Sequence, residues 1–466
     1  MTACDKIKVM VVTNHRRPSR NEVWRFLNAG VMLARVFLGY KLISVLERWK
    51  GETWAEAKRH RHHRWSAQRF YDVAVTNQGL LIKTAQFLSS RPDVVPDEYI
   101  EVLSSLQDEV PPEPFEVIRR VVERELGKPL EAVFSEFEPE PIASASLAQV
   151  HRAVLKDGRI AAVKIQYPGI DRLVEVDLRN IERFIKVLNR LDKTLDYSFI
   201  AVEMANMIPL ELDFVREGHN AERIAANFEG VEDVVVPQIY WEHTTRRVLT
   251  MEFVEGVKIN DLEGMKARGI DPEDVAKILV VAFSEMLLAH GIFHADPHPG
   301  NLLVAPGPKL ILVDFGQVKE VAPAFRVVFA QMTRALLADD ESALGRTFRD
   351  LGFRMKQDSD EGYVELGNAY VGNISKQMMA QQAGWVSTDM FTQSYREVLR
   401  VLRSNPVIKI PPDLLFVGRV MGLLNGLSMM LHSRTNLLIE MAQLLDQNDG
   451  AIPTSTVNGR RKLLEA

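Results

Sequence analysis

Three oxygen-bearing side chains at fixed spacing in the second half of the chain constrain the fold more than any other feature. Asp296 precedes Asn301 by five residues, and Asn301 precedes Asp314 by thirteen. The apolar stretches Leu302–Val304 and Leu310–Val313 predict a small β-hairpin that holds Asn301 and Asp314 near one another. An amide carbonyl and a carboxylate are hard oxygen ligands of the kind that Mg²⁺ prefers. Asn301 and Asp314 are therefore the predicted metal ligands.

This register is typical of phosphotransferases, in which a catalytic-loop Asp is followed by a metal-binding Asn and by the Asp of an Asp-Phe-Gly sequence. Here that sequence is Asp314-Phe315-Gly316. A separate carboxylate beside an attacking hydroxyl or water accepts its proton or orients it, so Asp296 is the predicted catalytic residue. The alternative is that Asp296, Asn301 and Asp314 are ordinary turn residues. It requires all three to fall in the phosphotransferase spacing by chance.

A phosphotransferase of this kind also needs a strand lysine upstream, and Ala161-Ala162-Val163-Lys164 supplies one. Ala148–Leu155 and Ile160–Gln166, joined by a turn at Lys156-Asp157-Gly158, predict a hairpin that carries Lys164. Its ammonium group would bridge the α- and β-phosphates and be held by a helix glutamate. Taken alone, Lys164 would be interpreted as a solvated lysine of an edge strand.

Two further segments are expected to contact the nucleotide. Leu249–Gly256 predicts a last strand running into a connecting segment, where backbone groups at Met251, Glu252 and Val254 would hydrogen-bond adenine. The loop before the lysine strand reads Ala143-Ser144-Ala145-Ser146 in place of a glycine-rich loop. Because alanine does not easily take a positive φ, we expect this loop to be stiff and to bind phosphates in a different geometry.

Several segments together resemble the UbiB/ADCK family of atypical kinases, also called the ABC-one family. They are the alanine-rich loop with Gln149–Ala153, Val163–Gly169, Glu211-Leu212-Asp213-Phe214 and the run His294–Asn301, HADPHPGN. The resemblance extends over roughly residues 75–440. It implies a bilobal, protein-kinase-like α+β fold with an N-terminal helical extension and a mostly helical C-terminal lobe.

In that family a lysine–x–glycine–glutamine motif lies on the helical extension, and here it reads Lys83-Thr84-Ala85-Gln86. The resemblance implies that the extension folds over the active site and fills the groove used by peptide substrates. Lys83 would then act in catalysis beside Glu211, Asp213 or the nucleotide, with Gln86 also at the nucleotide. A lysine on an apolar helix needs a carboxylate if it is buried, and the alternative is that Lys83 reaches water.

The glutamate that pairs with Lys164 is either Glu217 or Glu211. We favour Glu217, because Glu211 and Asp213 match the family's Glu-x-Asp motif, which faces the extension. Glu217 is therefore expected to join Lys164 in the catalytic group.

The N-terminal region is basic. Residues 1–65 hold 14 Lys or Arg and 5 Asp or Glu, a net of +9 that leaves −14 for the rest of the chain. Ala29–Leu46 is apolar, but Arg35 and Lys41 interrupt it, so it falls short of a membrane span. It predicts an amphipathic helix that is docked on the protein's own core or lies in a bilayer interface. The asymmetry in charge favours an acidic partner, for instance an anionic membrane surface.

The basic cluster Lys58–Trp65 contains three histidines among arginines. We interpret it as a solvated helix face, with anionic lipid as the next reading. A metal site is disfavoured, because like charges repel a cation.

Composition narrows the class of protein. The single cysteine, Cys4, excludes an intrachain disulfide framework and a Cys-based zinc site. The net charge of −5 argues against a dedicated nucleic-acid binder. No secretory signal is visible, so the expected location is cytoplasmic or peripheral to a membrane.

The expected organisation has five parts. They are a basic helical region (1–75), the helical extension (76–130), a kinase-like N-lobe (131–256), a kinase-like C-lobe (257–447) and a flexible tail (448–466).

The chain is expected to bind ATP or ADP with Mg²⁺ and to hydrolyse ATP or phosphorylate a non-protein substrate near a membrane. The resemblance implies a role in the metabolism of ubiquinone or another isoprenoid lipid. The alternative is a non-catalytic, nucleotide-gated scaffold or lipid chaperone. A small-molecule kinase of the aminoglycoside or choline type is a third option, against which the alanine-rich loop and Lys83–Gln86 weigh.

Overall fold

The structure, a computed structural model, describes residues 22–77, 79–89, 95–107, 112–191, 198–381 and 385–446. The chain divides into two compact units. The first comprises Met1–Val215 and Tyr240–Glu252, and the second comprises Arg216–Ile239 and Phe253–Ala466. The predicted tail, 448–466, and most of a predicted helix break at Arg91–Pro96 lie outside the described residues. The five-part division of the chain stays a prediction.

The helices, in chain order, are α1 Glu22–Lys50, α2 Glu52–Asn77, α3 Leu80–Ser89, α4 Asp97–Leu103, α5 Phe115–Leu126, α6 Leu130–Val133, α7 Ile170–Leu191, α8 Ser198–Glu211, α9 Phe214–Asn227, α10 Leu262–Ala267, α11 Pro272–Glu285, α12 Pro323–Leu337, α13 Glu341–Leu351, α14 Asp360–Gly367, α15 Asn373–Gln381, α16 Thr388–Ser404, α17 Pro412–Met430 and α18 Leu437–Asp446. Shorter helical turns cover Ser104–Gln107, Trp241–His243, Met286–His290, Pro299–Asn301 and Asn368–Gly372.

The strands are β1 Phe134–Phe137, β2 Ala143–Ser144, β3 Ala148–Leu155, β4 Ile160–Gln166, β5 Val234–Val235, β6 Val248–Glu252, β7 Val257–Lys258, β8 Ile292–His294, β9 Leu302–Ala305, β10 Lys309–Leu312, β11 Val318–Glu320, β12 Arg354–Met355 and β13 Val407–Lys409.

The first unit contains an antiparallel sheet of order β1-β3-β4-β6, with β2 paired to β3. The predicted hairpin is confirmed, because β3 and β4 have the expected bounds and their turn contains Gly158 at φ +89°. Alternate residues of β3 and β4 point into a buried cluster with α5, and Val163 is fully buried there. Because side chains alternate along a strand, the neighbouring Lys164 belongs to the opposite face of the sheet.

Helices α1, α2 and α7 pack around a buried ion pair inside the first unit. Arg25 of α1 and Asp177 of α7 are 1% and 4% exposed, and Arg25 Nε donates to Asp177 Oδ1 at 3.2 Å. A second guanidinium nitrogen donates to the backbone oxygen of Asn77 at the end of α2. Burial raises the pKa of Asp177, while the Arg25 charge opposes that shift. This ion pair therefore joins α1, α2 and α7.

Replacing Arg25 with Met should lower the free energy of unfolding by about 3–5 kcal/mol, because it leaves the buried Asp177 carboxylate without its counter-charge. Urea unfolding measures the loss. The double variant Arg25→Met with Asp177→Leu should recover most of it, since an apolar pair of similar volume is tolerated. Arg59→Met, at a partly exposed pair with Glu47, should cost less than about 1 kcal/mol. Equal losses at Arg25 and Arg59 would contradict this role.

Two predicted elements are shorter than expected. The apolar spacing over Ile200–Phe228 is helical and predicts one long helix. That prediction is wrong, because α8 ends at Glu211 and α9 begins at Phe214. The Phe214 N–H donates to the Arg246 carbonyl at 3.2 Å, and Gln166 Nε2 donates to the Leu212 carbonyl at 2.8 Å, so tertiary partners replace the helical ones.

The strand-like stretch Val234–Ile239 is reduced to β5, Val234–Val235. Pro237 follows directly and has no N–H to extend the ladder.

The second unit holds a sheet of order β5-β10-β9-β7, a β8–β11 pair and a β12–β13 pair. β9 and β10 are the predicted hairpin, with Leu302 opposite Leu312 and Val304 opposite Leu310. Helix α11 is buried along nearly its whole length and contacts α17 and α18. Asn301 and Asp314, described next, flank this hairpin.

Candidate nucleotide and metal site

The predicted metal ligands lie at the open end of the β9–β10 hairpin, all within the second unit. The Val313 N–H donates to the Asn301 carbonyl at 3.1 Å, which brings the residue before Asp314 against Asn301. Asn301 Nδ2 donates to the backbone carbonyl of Asp296 at 3.0 Å. The amide of Asn301 thus uses its nitrogen inside the loop, and Oδ1 is the atom that would bind an ion. The expected proximity of Asn301 to the Asp314 segment is confirmed, while metal binding stays a prediction.

Asp314 is oriented by the turn that follows it. Its Oδ1 accepts a hydrogen bond from the Gly316 N–H at 3.0 Å. The side chain is half-buried, whereas Phe315 is 1% exposed. Phe315 anchors the turn in the core, and the carboxylate stays at the rim of the hairpin, where an ion can reach it.

His294 connects the backbone at Asp296 to the backbone at Asp314. Sequence reasoning assigned this residue no role. Its ring is buried, Nε2 contacts the backbone carbonyl of Asp314, and Nδ1 accepts from the Asp296 N–H at 3.2 Å. This pairing fixes a neutral ring with its proton on Nε2. Burial lowers the pKa of His294 and keeps the ring in that form.

Acid should therefore destabilise the protein through His294. The unfolded chain takes up the proton near pH of about 6.5, whereas the folded chain resists it, so the free energy of unfolding falls as pH drops below that value. His151 adds to this trend, because burial also lowers its pKa. Urea unfolding as a function of pH measures the slope. His294→Gln should reduce the slope below pH of about 6.5, and His219→Gln, at an exposed side chain, should not; equal slopes in the two variants would refute this origin.

Asp296 has an ion-pair partner that sequence reasoning missed. Arg419 Nη2 lies 2.7 Å from Asp296 Oδ1, and both side chains are 13% exposed. Arg419 Nη1 also donates to Gln317 Oε1 at 3.3 Å. In the sequence Arg419 only interrupts an apolar stretch, and that stretch is α17 in the structure. The guanidinium fixes the orientation of the carboxylate that we assigned to catalysis.

Helix α9 holds the turn at Phe315 from the other side within the second unit. Glu217, which is 1% exposed, accepts from the Phe315 N–H at 3.4 Å, and Asn220 Nδ2 donates to the Phe315 carbonyl at 3.0 Å. Glu217 thus has a structural contact with the loop that is predicted to bind the metal. Lys164 belongs to the first unit and Glu217 to the second, and their pairing stays a prediction.

The alanine-rich loop forms a tight turn between β2 and β3. Ala143 lies opposite Val150, Ser144 opposite Gln149, and the Ala145 N–H donates to the Ala148 carbonyl at 2.8 Å. Among the described non-glycine residues, positive φ occurs at Asp339 and His432 and not in this loop. Ser146 is buried and Ala145 is exposed. The loop makes its turn without a positive φ, as expected for alanine.

Ala145→Gly should loosen this turn, because glycine adds backbone freedom worth about 0.5–1 kcal/mol. We expect the ratio of ATP to ADP affinity to change by about twofold to fivefold, which corresponds to that energy. Isothermal titration with each nucleotide measures the ratio. Ala267→Gly, at the exposed end of α10, is the matched control. An identical ratio before and after the Ala145 change would show that the turn does not set the preference.

The lysine strand and the proposed adenine contacts divide between the units. Lys164 lies opposite Val150 and Leu249 in the sheet, and its Nζ is 5.1 Å from the centroid of the Phe214 ring. Met251 and Glu252 end β6, whereas Val254 belongs to the second unit. Their contacts with adenine stay predictions.

In the helical extension, Lys83 Nζ lies 2.9 Å from Glu211 Oε1, with exposures of 17% and 12%. The structure therefore contradicts the alternative in which Lys83 reaches water.

The other residues of this motif face the inside of the extension. Gln86 Nε2 donates to the Leu106 carbonyl at 2.9 Å. Ala85 is fully buried against Leu103 and Leu106, so the methyl group that replaces the family's glycine packs inside the extension. Asp213 is half-buried between α8 and α9.

Comparison with known proteins identifies the class to which this fold and site belong. The family model of the ABC1 atypical kinase-like domain matches residues 105–347. AarF domain-containing protein kinase 1 of Xenopus tropicalis is 38% identical over 70% of this chain and 64% of its own length. An uncharacterized protein of Synechocystis sp. is 33% identical over 91% of this chain and 72% of its own. The chain thus spans 64% of that Xenopus relative, and 55% and 57% of two further vertebrate relatives.

Among solved structures, Rv3197 of Mycobacterium tuberculosis, crystallised with erythromycin, superposes with a TM-score of 0.56 at 24% identity. The match covers 86% of this chain and 98% of that one. The chain belongs to the ABC1 atypical kinase-like family, and the resemblance found from its motifs is confirmed. The expected α+β, protein-kinase-like fold class is confirmed as well.

Proposed function

We propose that this protein is an atypical kinase or ATPase that binds ATP or ADP with Mg²⁺. The observation that carries the proposal is the loop of the second unit, where Asn301 and the Asp314 segment are joined at the end of one hairpin. An amide carbonyl and a carboxylate suit Mg²⁺, which would neutralise charge on the phosphates. The proposal assigns Lys164 to the phosphates, with Ala143, Ser144, Ala145 and Ser146 around them.

Asp296 is the proposed catalytic residue. Its backbone carbonyl is bound by Asn301 and its carboxylate by Arg419, so the side chain is fixed beside the metal-binding loop. A carboxylate so placed would orient the attacking hydroxyl or water. Lys83 and Glu211 of the extension are proposed to act with it, together with Glu217, Asp213 and Gln86, as the family resemblance implies.

The proposed substrate is not a protein, and the proposed setting is a membrane surface at which ubiquinone or another isoprenoid lipid is processed. Helix α1 supports this setting. Its inward face, with Ala29 and Met32, packs on the protein's own core, as one of the two expected readings requires. The expectation that Ala29–Leu46 falls short of a membrane span is not met: within the described residues, Val23–Lys50 is a helix long and apolar enough to cross a bilayer, because its most apolar stretch tolerates the two charges.

The opposite face of α1 is apolar and exposed. Its side chains are 49–85% exposed and recur at helical spacing; they are Leu27, Val31, Leu38, Leu42, Val45 and Trp49. Exposed Arg35, Lys41 and Arg48 lie on the same helix. An apolar strip with basic side chains is typical of a helix in an anionic bilayer interface.

Nucleotide turnover with and without anionic liposomes tests this function. We expect Mg²⁺-dependent turnover that anionic liposomes increase and neutral liposomes do not. Replacing Leu38 and Leu42 with Gln should abolish the increase but not the basal turnover, while Val327→Gln, exposed on α12, should leave both unchanged.

Three results would revise the proposal in different ways. Nucleotide binding without turnover, even with lipid, would favour the nucleotide-gated scaffold or lipid chaperone. Turnover that anionic liposomes do not change would overturn the proposed membrane setting but leave the proposed nucleotide chemistry in place. Absence of Mg²⁺-nucleotide binding would overturn the proposed function.

A further inference from the structure

A second cluster of side chains of metal-ligating types lies in the first unit, with two members in the basic N-terminal region and one in the helical extension. His60 and His63 are three residues apart and share one face of α2. Glu98 of α4 reaches both rings, with Oε1 2.6 Å from His60 Nδ1 and Oε2 3.3 Å from His63 Nδ1. One ligand atom from each residue lies within 4.8 Å of the other two. Two imidazoles and a carboxylate thus converge from two helices.

The surrounding charges do not oppose a cation in the way that the sequence suggested. Arg59 is paired with Glu47, and Arg64 is paired with Glu101 at 2.7 Å. Arg61 donates back to the Ala57 carbonyl at 3.3 Å along its own helix. The acidic partners of Arg59 and Arg64 offset two of the positive charges near the rings, whereas Arg61 keeps its charge.

The negative charge at the cluster favours a cation. Glu98 supplies one carboxylate, and Glu56 lies one helical turn before His60 on α2. Burial opposes ionisation of Glu98, but the hydrogen bonds and charges of the two histidines outweigh it and lower the pKa of that carboxyl. Burial lowers the pKa of His63, which favours the neutral ring that metals require. The hydrogen bond to Glu98 raises the pKa of His60, so an ion must displace a proton from that ring.

We propose that His60, His63 and Glu98 form a binding site for a divalent transition metal of the Zn²⁺ class. Two imidazoles and one carboxylate are a known three-residue donor set for Zn²⁺, with a water molecule in the fourth position. Imidazole nitrogen favours Zn²⁺, Co²⁺ or Ni²⁺ over Mg²⁺, which prefers oxygen. His60 is 66% exposed, so its ring can rotate onto the ion from the solvent side.

The bound ion would cross-link α2 and α4. The turn after α4 contains Leu106, whose backbone carbonyl accepts a hydrogen bond from Gln86. The side chains of Leu106 and Leu103 pack on Ala85. Occupancy would therefore stiffen the support of the segment that carries Lys83. The site is independent of the proposed nucleotide function, because its residues lie outside the Asn301–Asp314 loop.

Metal titration of the full chain tests the site. The chain carries Cys4→Ser, so that its only cysteine does not compete, and excess Mg²⁺ is present to occupy oxygen sites. We expect one Co²⁺ per chain with visible d–d absorption, displaced by Zn²⁺. Zn²⁺ should also raise the melting temperature and slow hydrogen exchange in residues 97–107.

His60→Gln and Glu98→Gln should each weaken Zn²⁺ binding by at least about tenfold, the effect that even a lost supporting contact has at metal sites. His60 is exposed, so His60→Gln should stay folded. This variant therefore still tests the site if Glu98→Gln fails to fold. His219→Gln removes an exposed histidine that contacts Glu222 at 3.3 Å and lies outside the proposed site, and should leave binding unchanged. Absent d–d absorption, or equal affinity in His60→Gln and the parent protein, would overturn the site. Neither result bears on nucleotide binding.

Discussion

Asp314→Asn should weaken Mg²⁺-nucleotide binding by about 100-fold, which equals roughly 2.8 kcal/mol at 1.4 kcal/mol per factor of ten. The substitution removes the charge of the proposed metal ligand and little else. An asparagine oxygen can still accept from the Gly316 N–H, which Asp314 Oδ1 does at 3.0 Å, so the turn should keep its shape. The loss should therefore come from the ion and not from the fold. Isothermal titration with ADP, with Mg²⁺ and with EDTA, measures it.

Comparing ADP affinity in Mg²⁺ with ADP affinity in EDTA separates the contribution of the ion from that of the nucleotide. Without Mg²⁺ the variant and the parent protein should bind ADP equally. Asp358→Asn, which changes an exposed acid paired with Arg349, should have no effect in either condition. Unaltered Mg²⁺-ADP affinity in Asp314→Asn would remove Asp314 from the metal site.

Asp296→Asn should lower turnover by a factor of about 10²–10⁴. The amide cannot accept a proton from the attacking group, although it preserves the shape of the side chain. Its oxygen can still accept from Arg419, which contacts Asp296 Oδ1 at 2.7 Å. Nucleotide affinity should stay within about threefold, because Asp296 is not a proposed metal ligand. Single-turnover kinetics and titration on the same sample distinguish the two quantities.

The Arg419 pair provides the control for this prediction. Asp296→Asn leaves a largely buried guanidinium without its counter-charge, so thermal unfolding must show that the variant is folded at the assay temperature. Arg419→Lys keeps the charge and should retain more turnover than Arg419→Met. Turnover at the parent rate in Asp296→Asn would show that another group takes the proton or that none is needed.

Local sequence patterns were enough to predict the two hairpins that carry or flank the proposed site residues. The β9–β10 hairpin follows from two apolar stretches separated by Pro306 and Gly307, and it brings Asn301 to Val313. The β3–β4 hairpin follows in the same way from Gly158, which takes a positive φ. Lys83 was expected beside Glu211, Asp213 or the nucleotide, and the structure pairs it with Glu211, since a lysine on an apolar helix needs a carboxylate.

Contacts between distant residues account for what sequence reasoning missed. Arg419 and Asp296 are 123 residues apart, and Arg25 and Asp177 are 152 apart, so no local pattern signals either pair. An arginine in an apolar helix is the signal that was present at Arg419, and it was interpreted only as an interruption. The histidine cluster was judged by its neighbours in sequence, whereas Glu98 comes from another helix.

The break between α8 and α9 has the same origin. The pattern through this region is helical, and tertiary hydrogen bonds to Leu212 and Phe214 end the helix. Propensity therefore gave the wrong length for an element whose type it gave correctly.

The position of the metal in a crystal of the full chain grown with ADP and Mn²⁺ tests the central claim most directly, because Mn²⁺ replaces Mg²⁺ and scatters anomalously. We predict one anomalous peak within about 2.0–2.3 Å of both Asn301 Oδ1 and an Asp314 carboxylate oxygen, with a phosphate oxygen among its other ligands. A peak bound to neither residue, or ADP bound with no metal beside them, would contradict the account.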